Sequence, residues 1–266
     1  MEKQLLNSMF DNLLHIGNKI NYWNPRMKQF IYGSVNGVHV FDLTKTAVKL
    51  NEVKARLEEV SKAGKVILFV STKLQARDAF VKLAEETGSH YVSEKWVPGL
   101  LTNFKTIRKR IGTYLKLLKD FEMNALDGYT KKEIAGKKLE LEKLDIAYRG
   151  LKELKKTPDL VVVVDSAYES QAVRECNILG IEVLAIANTN GDDLVVNNII
   201  PANTNSVKSL EFIASYLKPA FANKKVTPSS TSETPSNEGK IKKVEITPSE
   251  APKAKKTAKK EETVSE

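Results

Sequence analysis

The chain has 266 residues, 41% of them hydrophobic, enough for one buried core with attachments. It carries 42 Lys and Arg against 33 Asp and Glu, and the net charge of +9 favours a polyanionic partner. The single cysteine, Cys176, excludes an internal disulfide, and no apolar run is long enough to cross a bilayer.

The charge is unevenly placed. Residues 101–156 hold 15 basic side chains against 8 acidic ones, whereas residues 157–222 hold 3 against 8. The split predicts one RNA-facing side; solubilising charge is the competing explanation. The first residues, MEKQLLNSMFDNLL, include Glu2 and Asp11, lack the apolar core of a secretory signal and read as a short amphipathic helix. Residues 17–37 (GNKINYWNPRMKQFIYGSVNG) are punctuated by Gly, Asn and Pro and predict a long loop without regular structure of its own. There Tyr22, Trp23, Arg26, Lys28, Phe30 and Tyr32 interleave aromatic and basic groups. Aromatic faces stack on bases and cations meet phosphates, so this loop is a candidate RNA contact. A role for Trp23 and Phe30 in pinning the loop to the body is the alternative, and both hold together.

Residues 38–42 predict a short strand, and Thr44 an N-cap for a helix whose inner face is Leu43, Ala47, Leu50, Val53, Leu57 and Val60. Gly64 ends it. KVILFV (65–70) is a strand buried on both faces, as in a parallel sheet. Ser71-Thr72-Lys73 leads into a helix to Thr87, ended by Gly88, and a strand begins at His90. This rhythm is βαβ.

Residues 96–156 organise the rest. Phe104, Ile107, Ile111, Tyr114, Leu118 and Phe121 recur in steps of three and four, a heptad-like seam. After a turn near Leu126-Asp127-Gly128, Leu141, Leu144, Tyr148, Leu151 and Leu154 repeat it less cleanly. The pattern predicts an antiparallel coiled-coil hairpin inserted as an arm into an α/β body. Lys105, Arg108, Lys109 and Arg110 crowd one limb, and Lys131, Lys132, Lys137 and Lys138 begin the other; a merely solvated coiled coil is the plainer explanation. Thr157-Pro158 breaks the arm, and residues 159–165 are the most strongly buried strand signal. A helix from about Tyr168 to Leu179, a strand over 181–187, an edge element at Ile199-Ile200-Pro201 and a final helix over about 205–222 complete the body. From Asn223 the chain turns to Ser, Thr, Pro, Lys and Glu with few apolar residues, which predicts a disordered tail over 223–266. The domain plan is therefore a body of 1–100 and 157–222, an arm of 101–156 and the tail.

A parallel α/β body invites an enzyme or nucleotide-binding reading. The candidate turns, Ser71-Thr72-Lys73, Asp165-Ser166-Ala167 and residues 188–193, match neither a Gly-rich dinucleotide turn nor a P-loop, and Thr72 and Ser166 read as helix caps. Lys73 beside a helix start is a candidate phosphate ligand. His15, His39 and His90 are scattered, and no Cys/His spacing predicts a metal site. Nothing assembles a nucleophile, base and oxyanion donor, so no catalytic residue and no cofactor is expected. A non-ribosomal coiled-coil adaptor is the other rival.

The blocks WNPRMKQFIYGSVNGVHVFDLTKT, KVILFVSTKLQA, KWVPGLLTNFKTIRKRI, PDLVVVVD, LGIEVLAIANTN and IIPAN, in that order, resemble the bacterial-type small-subunit ribosomal protein two family over about residues 10–220. The resemblance implies a Rossmann-like, flavodoxin-like parallel sheet flanked by helices, with an inserted helical hairpin. It implies a non-catalytic constituent of the small ribosomal subunit that binds small-subunit ribosomal RNA and neighbouring ribosomal proteins, and in many bacteria the mRNA-binding ribosomal protein one. The expected location is the small subunit, in a bacterial cytoplasm or an organelle, with no membrane or small-molecule substrate. The expected RNA-binding residues are Trp23, Asn24, Arg26 and Lys28, Lys73, and Thr102, Asn103, Lys105, Thr106, Arg108, Lys109 and Arg110, with Trp96 buttressing the arm. The sequence departs from the family pattern at Asn18, Pro98 and Gly191. These changes bear on a paired-imidazole role, on the arm's angle and on an ion or nucleotide at 188–193.

Overall fold

The computed structural model describes residues 2–123 and 128–222. The tail expected over 223–266, and Leu126 and Asp127 of the expected arm turn, lie outside them. After helix α1 (Glu2–Asp11), the stretch expected as an irregular loop is largely regular. It forms β1 (Ile16–Lys19), a 3-10 helix (Pro25–Phe30) and β2 (Ile31–Val35), followed by β3 (Val38–Phe41). These strands make a three-stranded antiparallel sheet in the order β1-β3-β2. The correction has a local cause. Asn36 and Gly37, at φ 51° and 78°, reverse the chain in two residues, and Val35 pairs with Val38 across the turn. Two left-handed residues match the twist of a hairpin, so the Asn-Gly pair joins strands rather than loosening a loop. Pro25 opens the 3-10 helix, and the Asn24 side chain accepts the Arg26 N–H at 3.1 Å.

Helix α2 (Leu43–Lys62) is capped by Asp42, not by Thr44. The Asp42 carboxylate accepts both the Thr44 N–H (3.0 Å) and hydroxyl (2.5 Å), which leaves Thr44 a donor inside the first turn. The second sheet consists of β4 (Ile67–Val70), β5 (His90–Val92), β6 (Leu160–Val164), β7 (Glu182–Ala187) and β8 (Asn198–Pro201), in the order β5-β4-β6-β7-β8, with every pairing parallel. Counted within this sheet the order is 2-1-3-4-5, the flavodoxin-like doubly wound order. The strand at 38–42 belongs to the small sheet, so the βαβ series starts at β4 rather than at β3.

Period-two alternation divides the sheet between two cores. Ile67, Phe69, Leu160, Val162, Val164, Leu184 and Ile186 face α2, α3 (Leu74–Glu86) and α7 (Val207–Leu217). Leu68, Val70, Val161, Val163, Val183 and Ala185 face α6 (Ser170–Leu179) and the base of a helical pair, α4 (Phe104–Glu122) and α5 (Lys131–Tyr148). The pair packs side by side, and its burial is graded. Ile107, Ile111, Tyr114, Tyr148, Leu151 and Leu154 are buried, whereas Leu118, Phe121, Leu141 and Leu144 are half-buried. Leu117, rather than the expected Leu118, is the more buried of that turn. Gly150 fixes the return to the body: a Cβ there would lie 2.2 Å from the Tyr91 carbonyl oxygen.

Candidate nucleic-acid interface

Three groups of expected residues fall in three different environments. In the first group, Trp23 is half-buried with its ring tilted against His39 (5.2 Å between centroids), and the Asn24 N–H donates to the Thr189 carbonyl at 2.7 Å. Arg26 bonds both Asp192 oxygens from one Nη1, at 2.8 and 2.7 Å, and Gln29 reaches Asp193 at 2.7 Å. Burial alone would raise the Asp192 pKa, but the Arg26 guanidinium and the Leu194 N–H hold it below the usual carboxylate range. The loop after β7 is thus a docking surface for the small sheet. Gly17 lies so close that a Cβ would meet Thr189 Cγ2 at 2.7 Å. Asn18 donates from its backbone to Thr189 Oγ1 (3.1 Å) and from its side chain to Asn190 (3.0 Å), a structural use of the position where the family pattern has a second imidazole. Lys28, with Tyr22 and Tyr32, is exposed beside this seam.

The second group is Lys73. The order of strands reverses between β4 and β6, and there doubly wound sheets hold their ligands. In this chain Lys73 spans the gap. Its ammonium donates to Asp165 Oδ2 (2.7 Å), Thr204 Oγ1 (3.1 Å) and Asn205 Oδ1 (2.7 Å), which uses all three protons. The pair is 14% and 7% exposed at its side chains. Next to it, the Thr72 N–H and hydroxyl donate to Glu169 Oε1 (2.9 and 2.5 Å). Burial foremost, with the Asp165 charge, raises the Glu169 pKa despite these bonds. Lys73, expected to meet phosphate, is engaged here in an internal ion pair with Asp165, which sits at φ 67°. Thr72 and Ser166, expected as caps, cap neither helix: α3 starts after Lys73 and α6 after Glu169, both without a side-chain cap bond.

The third group is the base of α4. Ile107, Ile111 and Tyr114 point to the core, so Lys105, Thr106, Lys109 and Arg110 share the outer arc of the helix and are exposed. Lys105, Lys109 and Arg110 have no ion-pair partner among the described residues. Thr102 and Asn103 are exposed just before them, whereas Arg108, on the flank, donates to the Leu154 carbonyl at 2.8 Å and ties the two limbs. The structure brings the arm-base residues together, sets the Trp23–Lys28 group against the β7 loop, and leaves Lys73 inside the body.

Sequence reasoning missed Glu175. This residue of α6 is 2% exposed, and its carboxylate accepts from Trp96 Nε1 (3.0 Å), Gly99 N (2.8 Å), Leu101 N (3.0 Å) and Thr102 N and Oγ1 (both 3.3 Å). Burial opposes its ionisation, yet the converging donors hold its pKa below the usual value. Trp96 is buried in the cluster that holds Ile107 and Ile111 of α4. The neighbouring Cys176 is fully buried, and burial pushes its thiol up to about 12, consistent with a small apolar role.

The class the fold defines is a doubly wound α/β body with Lys73 and Asp165 paired across its crevice and a helix with an exposed basic face. The sequence model of "Ribosomal protein S2" matches residues 9–223. The chain belongs to this ribosomal protein family. It is 41% identical over 229 residues to small ribosomal subunit protein uS2 of Chlamydia felis, covering 85% of this chain and 84% of that protein. It is 39% identical over 216 residues to the uS2 of Coprothermobacter proteolyticus, 81% of each chain. To the uS2c of Guillardia theta it is 38% identical over 216 residues, 80% of this chain and 90% of that one.

Proposed function

We propose that this protein is a structural, non-catalytic constituent of the small ribosomal subunit and binds the subunit's RNA and its protein neighbours. The observation that carries the reading is the family match over residues 9–223, which spans nearly all the described chain. The RNA-facing side is the α4 base. Lys105, Lys109 and Arg110 meet phosphates there, and Thr102, Asn103 and Thr106 meet sugars or base edges. Lys28 and the exposed tyrosines extend the contact, while Trp23, Asn24 and Arg26 hold that segment in shape against the β7 loop. Arg108 shares its guanidinium between the Leu154 carbonyl and RNA, and Lys73 acts from within, fixing the helix start. Residues 101–156 act as a coiled-coil arm on a body of 1–100 and 157–222, and 223–266 as a tail. Association with an mRNA-binding neighbour, ribosomal protein one, belongs to the same proposal.

Gradient sedimentation of a cell lysate tests it. The protein travels with small subunits at low salt and leaves them at high salt. A protein found only in the soluble fraction at low salt overturns the reading.

A further inference from the structure

Seven consecutive residues, 96–102, send five donor groups to the Glu175 carboxylate. Three are backbone N–H groups, of Gly99, Leu101 and Thr102, whose directions are set by the backbone dihedrals around them. Gly99 is at φ 84°, a conformation only glycine adopts without strain. A carboxylate that accepts from all of them therefore specifies the path of the loop, not merely its proximity to α6. Thr102 is the last residue so held, and α4 begins two residues later at Phe104. The first exposed cation of the arm base, Lys105, thus lies three residues from the carboxylate's grip.

Packing alone does not do this. Leu100 and Leu101 are buried in the same cluster as Cys176 and Val173, and such contacts are tolerant of small rotations. Charge-assisted hydrogen bonds are directional and roughly twice as strong as neutral ones. A carboxylate 2% exposed that accepts from five groups of one loop constrains that loop more tightly than such packing does. The second limb comes close to Tyr91 at Gly150, and Tyr114 of α4 donates to Asp145 of α5, so the limbs are tied to each other as well.

We propose that Glu175 is a positioning residue for RNA binding. Without touching RNA, it sets the direction in which α4 leaves the body, and so the placement of Lys105, Lys109 and Arg110 on the phosphate backbone. The proposal rests on the RNA-binding reading of the arm base given above.

The test measures affinity of the full-length protein for small subunits washed free of it, across a salt series. Each phosphate contact adds to the salt dependence of binding, so misplaced cations appear as a shallower slope as well as a weaker constant. Four proteins are compared with the parent. Glu175→Gln keeps the side-chain volume, and Trp96→Phe removes the indole donor together with part of a buried ring. Val173→Ala opens a cavity on the same helix without touching the carboxylate. K105E/K109E/R110E tests the surface itself. Expected are about tenfold weaker binding and a slope shallower by about one to two for Glu175→Gln, and a smaller change in the same direction for Trp96→Phe. Val173→Ala loses thermal stability but keeps the parental slope. If Glu175→Gln does not fold, Trp96→Phe carries the test. Parental affinity in K105E/K109E/R110E overturns the RNA reading. Loss of binding in that variant, with parental affinity and slope in Glu175→Gln and Trp96→Phe, overturns the positioning role alone.

Discussion

Lys73 and Arg26, both expected to meet phosphate, each pair with a carboxylate of the same chain. Their surroundings make these pairs unequal. The side chains of Lys73 and Asp165 are 14% and 7% exposed, those of Arg26 and Asp192 50% and 30%. Removing one member of a buried pair strands the other charge at low dielectric, whereas an exposed pair is screened. Lys73→Ala should lower unfolding stability by about 3–5 kcal/mol. Arg26→Ala should change it by no more than about 1 kcal/mol. Denaturant titration of both variants checks the ranking. Two glycines give a second contrast. Gly150→Ala drives a methyl into the Tyr91 carbonyl and should cost about 1–3 kcal/mol. Gly136→Ala on α5 meets nothing within 4 Å and should stabilise the helix by about 0.5–1 kcal/mol. A thermal shift upward for Gly150→Ala would refute the close approach.

Among elements, α5 and the junction ahead of α4 are held by different means. Helix α5 opens with a reciprocal capping box, in which the Glu133 N–H donates to Thr130 Oγ1 (3.4 Å) and the Thr130 N–H to Glu133 Oε2 (2.8 Å). The Thr-x-x-Glu spacing is a local signal that sequence reasoning passed over. The junction at residues 96–102 depends on a charge from another element, and so responds to pH. Folding lowers the Glu175 pKa against the desolvating effect of burial, so the folded state binds fewer protons than the unfolded one. Its contribution is complete above the ordinary glutamate pKa of about 4.3 and is lost as pH falls through the lower folded value. Glu169, raised by burial, acts with the opposite sign. Replacing Glu175 with Gln should therefore flatten the acid limb of the stability–pH curve below about pH 4.3. An unchanged acid limb counts against the converging bonds.

For the whole molecule, the sign and placement of charge matter more than the total. The basic residues of the arm base lie on the outer arc of α4, and the acidic stretch 157–222 uses Asp165, Glu169, Glu175, Glu182 and Asp192 as internal acceptors. The negative balance of that region is largely spent on holding the fold. Four phosphate contacts at about 0.7 each in log–log slope predict about 50-fold weaker association with small subunits between roughly 50 and 200 mM salt. Sedimentation at the two ionic strengths measures it, and a salt-independent distribution contradicts a phosphate-based interface.

The sequence by itself determined the order of the strands and helices from residue 38 onward, the apolar seams and the family. Runs such as LVVVV at β6 and steps of three and four along α4 are local consequences of burial and helical period, and the family blocks are read as text. It also held the Asn36-Gly37 turn, a two-residue hairpin signal that the density of loop-forming residues over 17–37 obscured. Only the tertiary structure decided which polar groups are engaged inside the fold and which are left exposed. Glu175 meets Trp96 across 79 residues of chain and Lys73 meets Asp165 across 92, so no local pattern marks either pair. A charge's availability depends on what the fold brings within about 3 Å of it, and that distance is set by the winding of the sheet.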